Sequence, residues 1–261
     1  MLEAIVKFRQ ALDEGKLQIG AGITLTDPLV TEALADSIDF AWYDLEHARM
    51  SPEALSAHLL AARYKGLPAL VRVTDGITSN IKPALDAGVE GIIAPQVRTL
   101  AEVQAVVNDC RYPPLGQRGF GPRVPSNYGR EAGDIHAEKA NQRIFVCVMI
   151  ETIEALEILD QIVAVPSLDS VVIGPSDLSW AMGLKGNYNH PEVVKAMETI
   201  IAKARKAGKY VGCGMGLDLE FARKMAERGA QWLQVGGDFN YLYDSADRVT
   251  REFIKLAASP A

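Results

Sequence analysis

The chain has 261 residues, with 27 basic against 33 acidic side chains and a formal net charge of −6. That length fits one large domain or two small ones and buries about 70% of the surface of the unfolded chain, so folding needs no disulfide or metal staple. Mild acidity without a basic stripe argues against a nucleic-acid partner. Glu3, Lys7, Arg9, Asp13 and Glu14 near the start exclude a signal-peptide core, a spanning helix or a polybasic membrane anchor there, and the expected location is cytoplasmic.

Short apolar, β-rich runs recur along the chain, and stretches of helical periodicity fall between them. Gln18 to Thr24 precedes a helix over Asp27 to Ser37, and Phe40 to Glu46 precedes one over Ser51 to Tyr64. Pro68 to Val73 is followed by a helix that includes Ile81 to Ala87 and ends at Gly88. Gly91 to Val97 leads to Leu100 to Cys110, and Ile144 to Glu151 leads to Thr152 to Ile162. Ser170 to Gly174 comes before a helix over Pro191 to Ala207, Tyr210 to Met215 before one over Leu219 to Arg228, and Gln231 to Gly237 is the last run. Eight strands alternating with helices in about 250 residues predict a (β/α)8 TIM barrel, taken as a single domain over 1–261. The competing doubly wound sheet would show GxGxxG after its first strand; Thr24 to Pro28 lacks it, and the glycines at 212–216 have the wrong spacing.

The segment Arg111 to Arg130 breaks this rhythm with four prolines, four glycines and four arginines. It predicts a long loop over an end of the barrel, with Arg118, Arg123 and Tyr128 placed to line a site entrance. Cys110, Cys147 and Cys213 are odd in number and in no ligand spacing, and are expected to be buried thiols.

In a barrel of this kind the active site lies at the C-terminal ends of the strands. There the sequence collects Asp44-Leu-Glu-His47, Arg72, Glu151 and the run Gly174-Pro175-Ser176-Asp177. Glu151 and Asp177 end successive strands, which in a barrel lie about 4.8 Å apart. Converging carboxylates favour a hard divalent cation with open positions for water and substrate. Ordinary use of acids near helix starts accounts for the same two residues. His47 suits either a base of pKa near 6.5 or a structural hydrogen-bonder. Arg72, between valines, requires an anionic match, from the protein or from a substrate carboxylate or enolate. Asp86, at an unfavourable helix C-terminus, requires a compensating partner.

With these residues in place, the chain resembles the HpcH/HpaI family of metal-dependent pyruvate aldolases over nearly its whole length. The blocks that carry the likeness are Asp44-Leu-Glu-His47-Ala, Val71-Arg72, Leu85-Asp86-Ala-Gly, Ile93-Ala-Pro95, Arg111-Tyr-Pro-Pro with Gly116-Gln-Arg-Gly119, Ile150-Glu151-Thr, and Ile173-Gly-Pro-Ser-Asp177-Leu-Ser179. The resemblance implies retro-aldol cleavage of a 4-hydroxy-2-oxo acid to pyruvate, or a close 2-oxo acid, and an aldehyde. It implies a divalent ion (Mg²⁺, Mn²⁺ or Co²⁺) on Glu151 and Asp177, and a substrate carboxylate held at Gly174, Pro175 and Ser176. It also implies enolate stabilisation by Arg72, a His47–Asp86 pair that activates a water, and a homo-oligomer, usually a hexamer. One position departs from the pattern: Met149 stands where aldolases of this type carry Gln, and a thioether donates no hydrogen bond.

Rival readings are a related lyase acting on a CoA ester and a non-catalytic 2-oxo acid binding protein. A Schiff-base aldolase is disfavoured because no predicted strand end carries a lysine; Lys185 follows only in a glycine-rich loop.

Overall fold

The computed structural model of the chain describes residues 2–258. Eight parallel strands pair in sequence order, and the last closes on the first. They are β1 (Gln18–Ile23), β2 (Phe40–Asp44), β3 (Ala69–Arg72), β4 (Gly91–Ala94), β5 (Phe145–Ile150), β6 (Ser170–Ile173), β7 (Tyr210–Met215) and β8 (Trp232–Gly237). This is the predicted (β/α)8 barrel. Glu46, Glu151 and Gly174 fall just beyond the strand ends and enter the loops that carry the candidate chemistry.

Twelve helices are described: α1 (Glu3–Asp13), α2 (Leu29–Leu34), α3 (Pro52–Lys65), α4 (Thr78–Ala87), α5 (Leu100–Cys110), α6 (Gly133–Arg143), α7 (Ile153–Glu157), α8 (Leu159–Val163), α9 (Pro175–Ala181), α10 (Pro191–Lys206), α11 (Leu219–Glu227) and α12 (Asp238–Ala258). Local chemistry sets several starts. Ser51 caps α3 through Ala54 N (3.2 Å) ahead of Pro52, and Thr99 with Glu102 forms a capping box on α5. The single helix predicted over 152–162 is broken at Ile158, whose φ of −98° and ψ of 16° separate α7 from α8.

The barrel interior is filled by large rings packed against glycines on other strands. A β-carbon on Gly20 would stand 2.4 Å from the Phe40 ring, and one on Gly212 would stand 2.2 Å from the Trp232 ring. From below, α1 inserts Phe8 edge-on against Phe40, Phe145 and Trp232, with centroids 5.4, 5.6 and 6.4 Å away. The N-terminal end of the barrel is thereby closed. All three cysteines are buried and free, as expected.

Residues 111–132 run from the end of α5 to α6, which feeds β5. Helices of the barrel run opposite to its strands, so this loop lies at the N-terminal ends of the strands. The expectation that Arg118, Arg123 and Tyr128 line the entrance is therefore corrected within one chain. Arg111 anchors the loop, donating to Ile144 O (2.7 Å), Ser167 O (3.0 Å) and Asp169 (2.7 Å).

Candidate active site

Arg72 ends β3 and reaches across to β2. Its Nε and Nη2 donate to the two oxygens of Asp44 at 3.0 and 2.6 Å, and Nη1 pairs with Glu46 at 2.9 Å. The Asp44 carboxylate also accepts from the amides of Glu46 (3.0 Å) and His47 (3.3 Å), so one acid fixes both the guanidinium and the turn that follows β2. The guanidinium lies over the Trp42 ring, 5.8 Å from its centroid. The anionic match required of Arg72 is thus supplied by protein carboxylates. Burial, with Asp44 and Asp177 adding, raises the Glu46 pKa against the pull of Arg72 and His47.

Glu151 occupies the one position between β5 and Thr152, the residue that caps α7 through Ala155 N. It is 2% exposed. Its Oε1 accepts from the backbone N–H (2.8 Å) and Nε2 (3.1 Å) of Gln96, while Oε2 is buried with no hydrogen-bond donor. Burial pushes the Glu151 carboxyl up to about 7; Gln96 and Arg72 oppose that, whereas Asp177 and Glu46 add to it. Asp177, in the first turn of α9, lines two adjoining cavities. The outer one, about 560 Å³, is also bordered by Gln96, Arg98, Glu151 and Glu154. The inner one, about 190 Å³, is bordered by Arg72, Met149, Gly174, Pro175, Ser176 and the barrel interior.

These features fit a divalent ion. A buried carboxylate oxygen lacks a donor, and a second acid stands within electrostatic reach of it. Gly174 leaves the space that a β-carbon would take from Oε2. Among the described residues no group of three or more His, Cys, Asp or Glu side chains is gathered to hold a metal. Two protein carboxylates leave most of an octahedral shell open.

The structure brings Arg72, Glu151, Asp177 and the 174–176 turn to one rim. His47 is at that rim with its side chain 64% exposed, Nε2 standing 3.6 Å from Glu46. Asp86 is not with it. It lies near the end of α4, at the opposite face, and its partner is Arg118 at 3.2 Å. The helix-end argument required a partner and the resemblance supplied His47; within one chain that partner is Arg118. Gln96 was not singled out from sequence; its left-handed φ of 55°, directly after Pro95, turns both its donors onto Glu151. Lys185 is exposed, and Lys209, whose pKa is lowered by burial, lies just before β7 on the far side. Among the described residues no lysine lines either cavity at this rim.

Comparison with known proteins supplies the deciding observation. The HpcH/HpaI aldolase/citrate lyase family matches residues 25–245. The chain belongs to that family. It is 36% identical to the hydroxypyruvate/pyruvate aldolase of Pseudomonas aeruginosa over 257 residues, 98% of this chain and 95% of the relative. It is 37% identical to the 2-keto-3-deoxy-L-rhamnonate aldolase of Salmonella gallinarum, covering 92% of this chain and 89% of that one. Among solved structures, an HpcH/HpaI aldolase from Desulfitobacterium hafniense superposes with a TM-score of 0.88 at 28% identity, over 97% of each chain.

Proposed function

We propose that this HpcH/HpaI family member is an aldehyde-lyase. It cleaves a 4-hydroxy-2-oxo acid reversibly to pyruvate, or a close 2-oxo acid, and an aldehyde. The observation that carries the reading is the buried, donorless Glu151 Oε2 facing the rim beside Asp177 and the braced Arg72. Glu151 and Asp177 would hold the divalent cofactor, Mg²⁺, Mn²⁺ or Co²⁺, which when bound supplies Lewis acidity at the keto oxygen.

The chain's own residues do the rest. The free first-turn amides of α9 at Ser176 and Asp177, beside Gly174 and Pro175, receive the substrate carboxylate. Arg72 is held in place before substrate arrives by Asp44 and Glu46, and it stabilises the negative charge that develops on the enolate oxygen. A well-placed donor of this kind is worth about 3 kcal/mol. His47, with a side chain open to solvent at the same rim, draws the C4 hydroxyl proton away through a water. The C3–C4 bond then breaks, its electron pair enters the enolate, the aldehyde leaves, and C3 is protonated to give the 2-oxo acid.

Asp86 pairs with His47 only if a second copy of the chain presents it, because within one chain it lies at the opposite face with Arg118. A homo-oligomer is supported by α12, which exposes Phe239, Leu242, Tyr243, Val249, Phe253 and Ile254. An apolar cavity of about 820 Å³ lies between α2 and α12.

The test is proton NMR of the pyruvate methyl group in D₂O with each of the three metals, with and without EDTA. Metal-dependent loss of the signal, abolished in Glu151→Ala and Arg72→Ala, is expected. No exchange by folded protein with any of the metals would overturn the reading.

A further inference from the structure

The inner cavity does not end at Arg72. It continues toward the barrel axis, where Trp42, Gly214, Met215, Gly216 and Gln234 border it. Trp42 lies two residues before Asp44 on the same inward face of β2, and its ring crosses the barrel to within 3.3 Å of where a β-carbon on Gly214 would stand. Because Gly214 and Gly216 carry no side chain, the space above the indole stays open. A β-carbon on Gly216 would meet nothing within 4 Å.

Toward the axis the side chains are apolar, the Trp42 ring and Met215, while Met149 lies farther out beside Gly174. Gln234 is the exception, and its orientation is fixed. Nε2 donates to Met215 O at 3.1 Å and to Gly236 O, so both amide protons are used. A flipped amide would set its oxygen against two carbonyls, which determines the assignment. Oε1 therefore points the other way, 3.3 Å from the β-carbon position of Gly214, and no described residue donates to it. The axial end thus presents one oriented acceptor beside the Trp42 ring and Met215, whereas Arg72, Ser176 and Asp177 line the other end of the cavity. The whole inner cavity, about 190 Å³, holds roughly six water-sized groups, the size of a three-carbon acid.

We infer that Gln234 makes this recess a donor-specificity pocket that favours a 2-oxo acid with a hydroxyl on C3 over one with a methyl there. The inference rests on the proposed placement of the donor acid, carboxylate at the 174–176 turn and carbonyl toward Arg72. That placement leaves C3 and its substituent to occupy the space toward Trp42 and Gln234. A hydroxyl donates to Oε1; a methyl displaces water from Oε1 and leaves it unpaired, which sites of this kind penalise strongly.

The test compares deuterium exchange at C3 of 3-hydroxypyruvate, 2-oxobutanoate and pyruvate with the metal-loaded enzyme. Exchange of 3-hydroxypyruvate is expected to exceed that of 2-oxobutanoate by about tenfold or more in kcat/KM. Gln234→Met, near in size but without the acceptor, is expected to bring the ratio close to one. Gly214→Ala, whose methyl shields Oε1, is expected to lower the ratio without touching the Nε2 bonds, and it keeps the test open if Gln234→Met folds poorly. A wild-type ratio near one, or a ratio unchanged in both folded variants, overturns the inference. Failure of pyruvate itself to exchange overturns the functional reading instead, so the two failures are separable.

Discussion

Gly174 and Glu151 are fitted to one another: a β-carbon on Gly174 would stand 2.3 Å from Glu151 Oε2 and 3.1 Å from the Glu151 β-carbon. The missing side chain just after β6 is therefore what leaves room for a buried carboxylate oxygen just after β5. Two bonds from Gln96 hold Glu151 on its other side, so it has no easy retreat. Gly174→Ala is expected to weaken Mn²⁺ binding about 10- to 100-fold, the usual cost of disturbing the surroundings of a metal ligand. Titration followed by electron paramagnetic resonance measures this, and unchanged affinity in the folded variant would remove Glu151 Oε2 from the metal site.

Arg72 meets Asp44 through two parallel bonds, a geometry a lysine cannot reproduce. Arg72→Lys keeps the charge but loses the fork that Asp44 and Glu46 position. Enolate formation, read as methyl exchange of pyruvate in D₂O, is expected to fall about 10²- to 10³-fold, as for loss of one aligned charge-stabilising donor. Exchange within a few-fold of wild type would show that only the positive charge matters there.

The His47–Asp86 relationship yields a prediction about assembly. The two residues sit at opposite faces of one barrel, and Asp86 is engaged by Arg118. If they work together across copies, His47→Ala and Asp86→Asn are each inactive alone. Mixed and allowed to exchange subunits, they regain part of the wild-type activity, since some sites receive both native residues. Sedimentation of the wild type should show a species larger than the monomer. Two inactive variants that stay inactive after verified subunit exchange count against the pairing.

The sequence disclosed the strands because each is a short run with no exposed position, bounded by turn residues. β5, Phe145–Ile150, is buried throughout. Glu151 and Asp177, the acids proposed to hold the metal, are legible for a related reason, since each follows such a run. The positions that escaped notice depend on direction rather than residue type. Gln96 acts through a left-handed φ, and Gln234 through which way its amide is locked. Neither is visible in composition or period. The 111–130 segment is legible as a loop over an end of the barrel, but which end it covers within one chain depends on its following a helix and not a strand. The 21-residue α12 lacks the buried face that marks a helix packed on the barrel; of its side chains only Asp238, which accepts from the amides of Thr24 and Leu25, is buried.

Far from the rim, Glu90 gives a pH dependence of stability with a definite sign. It precedes β4 at the closed end of the barrel, and burial raises its carboxyl to about 7, against the pull of backbone groups at Ala69, Ile5 and Ala4. In the unfolded chain the same carboxyl titrates near 4.3. Below that value both states hold the proton and Glu90 makes no difference. As pH rises toward 7 the unfolded chain releases its proton while the native state keeps it, so stability is lost across this window, by on the order of 4 kcal/mol at most. Glu46 and Glu151, also raised, act in the same direction without metal, so the comparison must be with Glu90→Gln rather than with pH alone. The variant is expected to match wild type near pH 4, below the unfolded value, and to unfold at higher denaturant concentration near pH 8. Parallel curves at both pH values would mean that Glu90 titrates normally and that the contact between α1 and the barrel floor leaves its charge solvated.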